Sequence, residues 1–205
     1  DAVFLNYNSS YLERMLEQML DEGDSREVTR FLRAVDVRID GFRVERAPEW
    51  RGRRVFVRHE VGGKAYELRL SEESAGTQKL MGLAAYLMAA LECGGTVVVD
   101  ELDAKLHPKL LRYVILLFKD PEVNKSGAQL IFSSQDVSTM RNDVFRRDEI
   151  WFAARGEGEA SQLWSLADIH EANGNLVSKN AAFDKQYLSG RYGADPYLTR
   201  IEEWD

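Results

Sequence analysis

The stretch that decides the fold is Val97-Val98-Val99-Asp100-Glu101, a β-branched run that ends in two acidic residues. A continuous run of this kind, without alternation, is typical of a strand buried on both faces of a parallel sheet. Ligands of open α/β sheets bind at the carboxyl ends of the strands. Two carboxylates leaving a buried strand are costly without a positive partner, which Mg²⁺ would supply. The run therefore predicts either a magnesium site or a strand end with two solvated acids.

Helices and strands alternate on both sides of this run, and such alternation predicts an α/β domain. Upstream, Gly62-Gly63 separates two β-like runs and predicts a hairpin turn. The expected fold is a mostly parallel sheet flanked by helices, with an added antiparallel β hairpin. The predicted elements are helices over 11–20 and 25–35, hairpin strands from 55–57 and over 66–70, a long apolar helix over 76–92, a helix over 108–118, a second buried strand over 129–132 and a short strand over 149–153.

A second candidate site is Ser74-Ala75-Gly76-Thr77-Gln78, at the predicted start of the long apolar helix. The start of a helix presents free N–H groups and a partial positive charge, which suit a phosphate. Gly76 permits close approach of the backbone, while Ser74 and Thr77 add hydroxyl donors. The alternative is a simple helix cap by one of these hydroxyls.

A third candidate is Ser133-Ser134-Gln135-Asp136, which follows the second predicted strand. Because the carboxyl ends of parallel strands meet at one edge of a sheet, a polar side chain here can reach the same ligand zone as Asp100. The alternative is a strand end followed by ordinary turn residues.

The order of these segments resembles the second half of an ABC-type P-loop nucleotide-binding domain, with signature, Walker B, D-loop and switch in turn. Residues 72–80 (EESAGTQKL) resemble the ES-x-GT signature of the AAA-15/AAA-21 group. This group comprises the RloA-like and OLD-like ATPases of prokaryotic defence and abortive-infection systems. Residues 100–108 (DELDAKLHP) resemble its DE-x-D-x-x-LHP block, and residues 183–196 resemble its YL-x-GRYGA-x-P tail. The likeness covers roughly 31–197.

The resemblance implies a role for each matching residue. Asp100 would bind Mg²⁺ and Glu101 would act as the general base of ATP hydrolysis. Asp103 would be a nucleotide-binding residue on the D-loop side of a dimer interface, together with His107. Gln135 would take the catalytic switch position. The γ-phosphate of ATP held by the other subunit would be contacted by Ser74, Gly76 and Thr77.

The sequence departs from this family pattern in two places. No Gly-x-x-x-x-Gly-Lys-Ser/Thr occurs in the 205 residues, and the nearest glycine-lysine, Gly63-Lys64, lies in the predicted hairpin. Without a phosphate loop, we expect the chain alone not to hold ATP tightly, and we expect the Walker A half to lie upstream or elsewhere. The switch position usually carries histidine, so Gln135 bears on the rate of hydrolysis rather than on nucleotide binding.

The expected function is that of an ATP- and Mg²⁺-binding ABC-type ATPase that forms a homodimer around ATP and drives a nuclease-like effector in anti-phage defence. The alternatives are a nucleotide-dependent scaffold with little turnover, a DNA-repair ATPase head of the Rad50/RecF type, and an unrelated α/β domain. The expected organisation is a helical segment over 1–36, a β hairpin region over 37–70, an ATPase core over 71–170 and a tail of the same domain over 171–205.

Composition limits the other possibilities. The formal net charge of −7 makes the whole chain a poor non-specific nucleic-acid binder, although an arginine cluster over 43–58 leaves local contact open. The most apolar stretch, 80–91, is too short to span a bilayer, which needs roughly 20 residues. The single cysteine, Cys93, excludes an internal disulfide and favours the cytoplasm.

Overall fold

The computed structural model describes residues 2–5, 25–35, 39–46, 53–155 and 160–194. The predicted helix over 11–20 lies outside these residues. The chain forms two compact units, Asp1–Gln135 and Asp136–Asp205. The described elements of the first unit are β1 (Ala2–Leu5), α1 (Ser25–Ala34), β2 (Gly41–Arg46), β3 (Arg53–Val61), β4 (Lys64–Arg69), α2 (Ala75–Cys93), β5 (Thr96–Val99), α3 (Pro108–Lys119) and β6 (Gln129–Phe132). Those of the second are β7 (Trp151–Arg155), β8 (Ser161–Ser165) and α4 (Phe183–Leu188).

The first unit contains a parallel sheet in the order β1-β5-β6, so the predicted α/β class and parallel pairing are confirmed. Val97 and Val99 of the central strand are buried. The prediction that the next strand is also buried on both faces was wrong, because Ile131 of β6 is 55% exposed. Among the described strands, β6 pairs with β5 alone and so lies at the sheet edge, and Gln129 and Ile131, which share one face of it, are both exposed.

Helix α2 supports this sheet and packs against β5 and α1. It is apolar around most of its circumference, as expected of a helix enclosed by other elements. Its end is fixed by Gly94, whose φ of +75° is a left-handed conformation that favours glycine. A Cβ atom at Gly94 would also lie 2.4 Å from the carbonyl oxygen of Ser126. The chain therefore turns sharply here and enters β5 two residues later.

The predicted hairpin is confirmed, with its turn at Gly62-Gly63, and β2 extends it to a three-stranded antiparallel sheet. Arg43 and Arg58 of this sheet are ion-paired. Arg43 contacts Glu67 at 2.7 Å and lies 4.2 Å above the ring of Phe56. Arg58 contacts Asp40 at 2.9 Å. These pairings favour a solvated, charge-balanced face over a nucleic-acid surface.

The second unit has an aromatic core built around the β7–β8 hairpin. The ring of Phe152 lies 5.7 Å from that of Tyr187, 5.3 Å from that of Tyr192 and 6.1 Å from that of Trp164, measured between centroids. Phe183 and Tyr192 are almost fully buried. The tail motif, for which the sequence alone suggested no physical role, therefore supplies α4 and much of this core.

In the part of the chain that the structure describes, no helix combines the length and the apolar character needed to cross a bilayer.

The buried phenol of Tyr192 makes the second unit sensitive to alkaline pH. Its hydroxyl donates to Oε1 of Gln186 at 2.7 Å, and burial raises the pKa of Tyr192 to about 12. The unfolded chain loses this proton near pH 10. The contribution of the protonated Tyr192 hydroxyl to the free energy of unfolding is therefore complete below about pH 10 and is lost as the pH rises toward about 12. We expect Tyr192→Phe to reduce the fall in the free energy of unfolding over this range, as measured by urea unfolding followed by tryptophan fluorescence.

The matched control is Tyr66→Phe, because Tyr66 lies on β4 and is half-exposed. If the free energy of unfolding of wild type and Tyr192→Phe fell equally at alkaline pH, the assignment of this sensitivity to Tyr192 would be contradicted.

Candidate functional site

The candidate site lies where β5 and β6 end, as the sequence predicts. The parallel register pairs Val99 with Phe132, so Asp100 and Ser133 follow at the same edge. The hydroxyl of Ser133 donates to Oδ1 of Asp100 at 2.5 Å and accepts from the backbone N–H of Glu101 at 2.7 Å. One hydroxyl thus fixes both acidic residues in place, while their side chains stay exposed.

The loop after β5 has an unusual backbone. Glu101 and Lys105 adopt positive φ values of +49° and +65°. For residues other than glycine, this left-handed conformation costs roughly 1–2 kcal/mol each. Such strain persists only where the surrounding structure holds the backbone in place. The loop that carries Glu101 therefore needs contacts from elsewhere in the unit.

Lys79 of α2 supplies those contacts. Its side chain is 1% exposed, and Nζ donates to the carbonyl oxygens of Glu101 at 2.5 Å and Ala104 at 2.9 Å. Burial lowers the pKa of the Lys79 ammonium, and the carboxylates of Asp103 and Glu101 oppose this shift. Sequence reasoning missed this residue. The available signal was a lysine in the second turn of the helix, directly before its long apolar stretch.

The start of α2 also approaches the loop directly. A Cβ atom at Gly76 would lie 2.7 Å from the carbonyl oxygen of Lys105, closer than real Cβ contacts. The sequence suggested that Gly76 permits close approach to a phosphate, whereas the neighbour that the structure shows is the backbone of this loop. The signature segment and the loop after β5 are therefore in contact within one chain.

The hydroxyls of the signature segment form a helix cap. Ser74 is the N-cap of α2, and its Oγ accepts from the backbone N–H of Thr77 at 3.1 Å. The two hydroxyl oxygens lie 2.8 Å apart. The capping interpretation is thus correct, and it leaves Ser74 exposed at the start of the helix. The phosphate-binding role of Ser74, Gly76 and Thr77 stays a prediction.

A further contact holds the residue before this cap. Oε1 of Glu73 lies 2.5 Å from Nε2 of His59 on β3, and both side chains are largely buried. The antiparallel sheet therefore contacts the signature segment. The sequence alone does not connect these two residues, because they lie 14 positions apart along the chain.

Gln135 and Asp103, which the sequence predicts as switch and D-loop residues, are also in contact. The backbone N–H of Gln135 donates to Oδ1 of Asp103 at 3.3 Å. His107 caps α3, where its Nδ1 accepts from the backbone N–H of Lys109 at 3.1 Å. The acidic and switch residues named from the sequence therefore share one edge of the sheet, and Gly76 and Lys79 join the start of α2 to them.

The donor set fits a magnesium ion that is shared with a nucleotide. Within the described residues, no group of three or more His, Cys, Asp or Glu side chains could hold a metal by itself. Mg²⁺ requires less from a protein, since one or two carboxylates suffice when phosphates and waters complete the octahedron. Asp100 offers an exposed carboxylate that is oriented by Ser133. Its role as a metal ligand stays a prediction.

The fold fits that of an AAA-type ATPase domain. The chain belongs to the family described as "AAA domain, putative AbiEii toxin, Type IV TA system", whose model matches residues 2–141. Among solved structures, the SMC head domain from Thermotoga maritima is similar over 79% of this chain and 52% of its own, at 17% identity and a TM-score of 0.43. This chain thus spans about half the length of that structure. The comparison with curated proteins gave no match.

We expect Gly76→Ala to destabilise the first unit by roughly 1–3 kcal/mol, the usual cost of overpacking a close contact. The reason is the 2.7 Å approach of the new methyl group to the Lys105 carbonyl, which neither backbone can easily relieve. Urea unfolding measures the loss, and hydrogen exchange of residues 101–106 should show the loop loosened.

Gly41→Ala is the control, because a Cβ atom there meets only the flexible end of Arg58 at 3.4 Å. Equal stability of the Gly76→Ala variant and wild type would show that the close approach is absent in solution.

Proposed function

We propose that this chain supplies the signature, Walker B, D-loop and switch parts of an ATP-hydrolysing site that works in an ABC-type homodimer. One observation carries the proposal: the Ser133 hydroxyl joins Asp100 to the backbone of Glu101 at the carboxyl edge of a parallel sheet. Electrostatic catalysis depends on groups that are oriented before substrate arrives. A strand end with two merely solvated acids would not need these two hydrogen bonds from one hydroxyl.

In the proposed site, Asp100 holds the magnesium ion of ATP–Mg²⁺, directly or through water. The ion, when bound, neutralises charge on the phosphates during transfer. The hydrogen bond from Ser133 keeps one carboxylate oxygen of Asp100 in a fixed direction. The orientation of the Asp100 carboxylate is therefore set by the register of β5 and β6 and not by a flexible loop.

Glu101 is the proposed general base, accepting a proton from the water that attacks the γ-phosphate. Its backbone is held from two sides, by Ser133 at the N–H and by Lys79 at the carbonyl. Its carboxylate remains exposed and able to meet solvent. Gln135, whose backbone N–H binds the Asp103 carboxylate, is proposed to orient that water or to donate to the γ-phosphate.

The start of α2 is proposed to complete the site of a second subunit. Its N–H groups and the hydroxyls of Ser74 and Thr77 suit the γ-phosphate of ATP held by the partner. A head-to-tail homodimer would then close around two ATP molecules, and ATP binding would stabilise the dimer through linkage. Asp103 would lie beside the nucleotide at this interface.

None of the 205 residues carries the Walker A pattern, so the proposal takes the phosphate loop of this site from outside them, either upstream or on another chain. For this reason every experiment below uses a protein in which the phosphate loop is present.

The biological setting is also a proposal. The family description names a putative toxin of a type IV toxin–antitoxin system. This wording and the motif resemblance support a role in prokaryotic defence in the cytoplasm, with an ATP-gated effector such as a nuclease. Loss of phage protection on substitution of Glu101, with the effector still present, would test this setting.

Glu101→Gln should lower the turnover number for ATP by about 10²–10⁴-fold, the usual contribution of a general base, while ATP binding is kept. The amide keeps the size of the side chain but cannot accept the proton. Steady-state phosphate release measures turnover, and calorimetry with ATP and Mg²⁺ measures binding.

The matched control is Glu122→Gln, an exposed acid in the turn after α3, which should hydrolyse ATP at the wild-type rate. Gln135 gives the scaffold alternative a specific basis, because glutamine cannot shuttle a proton as histidine can. If Glu101→Gln leaves turnover unchanged, the scaffold with little turnover becomes the better description.

Ser74→Arg should abolish the ATP-dependent dimer, because a long cation would occupy the place proposed for the partner's phosphate. Light scattering in the Glu101→Gln background, where ATP is retained, measures the dimer fraction. Ser71→Arg is the control, since Ser71 is exposed and precedes the cap. Loss of the cap costs α2 about 1 kcal/mol, so thermal unfolding must show that Ser74→Arg stays folded. A folded Ser74→Arg variant that still dimerises with ATP would contradict the sandwich geometry.

A further inference from the structure

We propose that Lys79 couples the two nucleotide sites of the dimer, by linking the signature segment that meets one ATP to the Glu101 that acts on the other. The inference rests on the proposed function and deepens it. Lys79 does not touch substrate in this scheme, so it is a positioning residue.

The physical link is short and buried. Lys79 lies five residues after the Ser74 cap, roughly 7 Å along the helix axis. Its Nζ binds the carbonyl oxygens of Glu101 and Ala104, which belong to the loop after β5. A charged donor bonded to a carbonyl in a water-poor setting makes a strong hydrogen bond.

The loop is held at its other end by the same helix. Lys105, its last left-handed residue, presents its carbonyl to Gly76 in the first turn of α2. The first two turns of the helix therefore contact Glu101, Ala104 and Lys105. A shift or rotation of this helix start displaces the loop, because packed contacts at this distance leave no room for independent movement.

The two ends of this link face different nucleotides in the proposed dimer. Ser74 and Thr77 meet the γ-phosphate held by the partner, whereas Glu101 serves the ATP held by its own subunit. Occupation of one site would thus reposition the base of the other. Coupling between two sites typically changes an affinity by about 5–150-fold.

A tandem dimer of two full-length chains tests the link. The first subunit carries Glu101→Gln, so only the second subunit's own site turns over. Ser74→Ala is then placed in the second subunit. In the proposed dimer, this Ser74 contacts only the ATP held by the first subunit, whose site is inactive. We expect turnover at saturating ATP to fall about fivefold or more, although the active site itself is unaltered.

Adding Lys79→Met to the second subunit should slow turnover there. In this background, Ser74→Ala should have no further effect on turnover. Lys79→Arg retains donors for both carbonyls and should restore the effect of Ser74→Ala. Lys125→Met, an exposed lysine of the loop before β6, should leave the effect at full size. The proposal is overturned if Ser74→Ala has no effect on the active site, or if its effect is equally large with methionine at position 79.

A measurement without nucleotide separates this inference from the proposed function. The backbone N–H of Ala104 donates to the carbonyl of Glu101, the same oxygen that Lys79 holds. We expect Lys79→Met to accelerate hydrogen exchange at Ala104 at least about tenfold relative to Lys125→Met, since the loop would open more often. Unchanged exchange would refute the role of Lys79, whereas faster exchange in a protein that neither binds nor hydrolyses ATP would refute the proposed function alone.

Discussion

The buried ammonium of Lys79 is the interaction on which the geometry of the site depends. Taking a positive charge out of water is expensive, and here two backbone carbonyls and two nearby carboxylates offset that cost. The same contact stabilises a loop whose backbone is strained at Glu101. The hydrogen bonds of Lys79 thus offset both the cost of burying its charge and the strain of the loop, and they join the apolar helix and the acidic loop into one structural unit.

Much of the fold follows from local sequence signals. The β-branched run before Asp100, the glycine pair in the hairpin and the apolar helix after Ser74 each fixed an element and its approximate bounds. The burial of β6 was misjudged, because an apolar run of four residues has the same composition in the centre of a sheet and at its edge. Only the pairing order distinguishes these positions, and sequence periodicity does not encode that order.

The convergence of the strand-end residues was predictable, since parallel strands present their carboxyl ends at one edge. Three of the contacts that hold the site were not predictable from the sequence. Ser133 was one of several polar residues after a strand, and His59 had no partner nearby in sequence. Lys79 directly precedes the long apolar stretch of its helix, and the sequence pattern gives it no partner. Each acts through a partner 14 to 33 positions away, a distance over which the sequence pattern carries no register information.

The aromatic core of the second unit has a consequence for synthesis on the ribosome. Phe152 and Trp164 emerge well before Phe183 and Tyr192, the residues that cover them. Domains generally fold from the N-terminus as they are made, at about 5–20 residues per second. The β7–β8 hairpin must therefore wait for seconds with its aromatic face in water. During that interval the aromatic face of the hairpin is an uncovered apolar surface of the kind that chaperones bind.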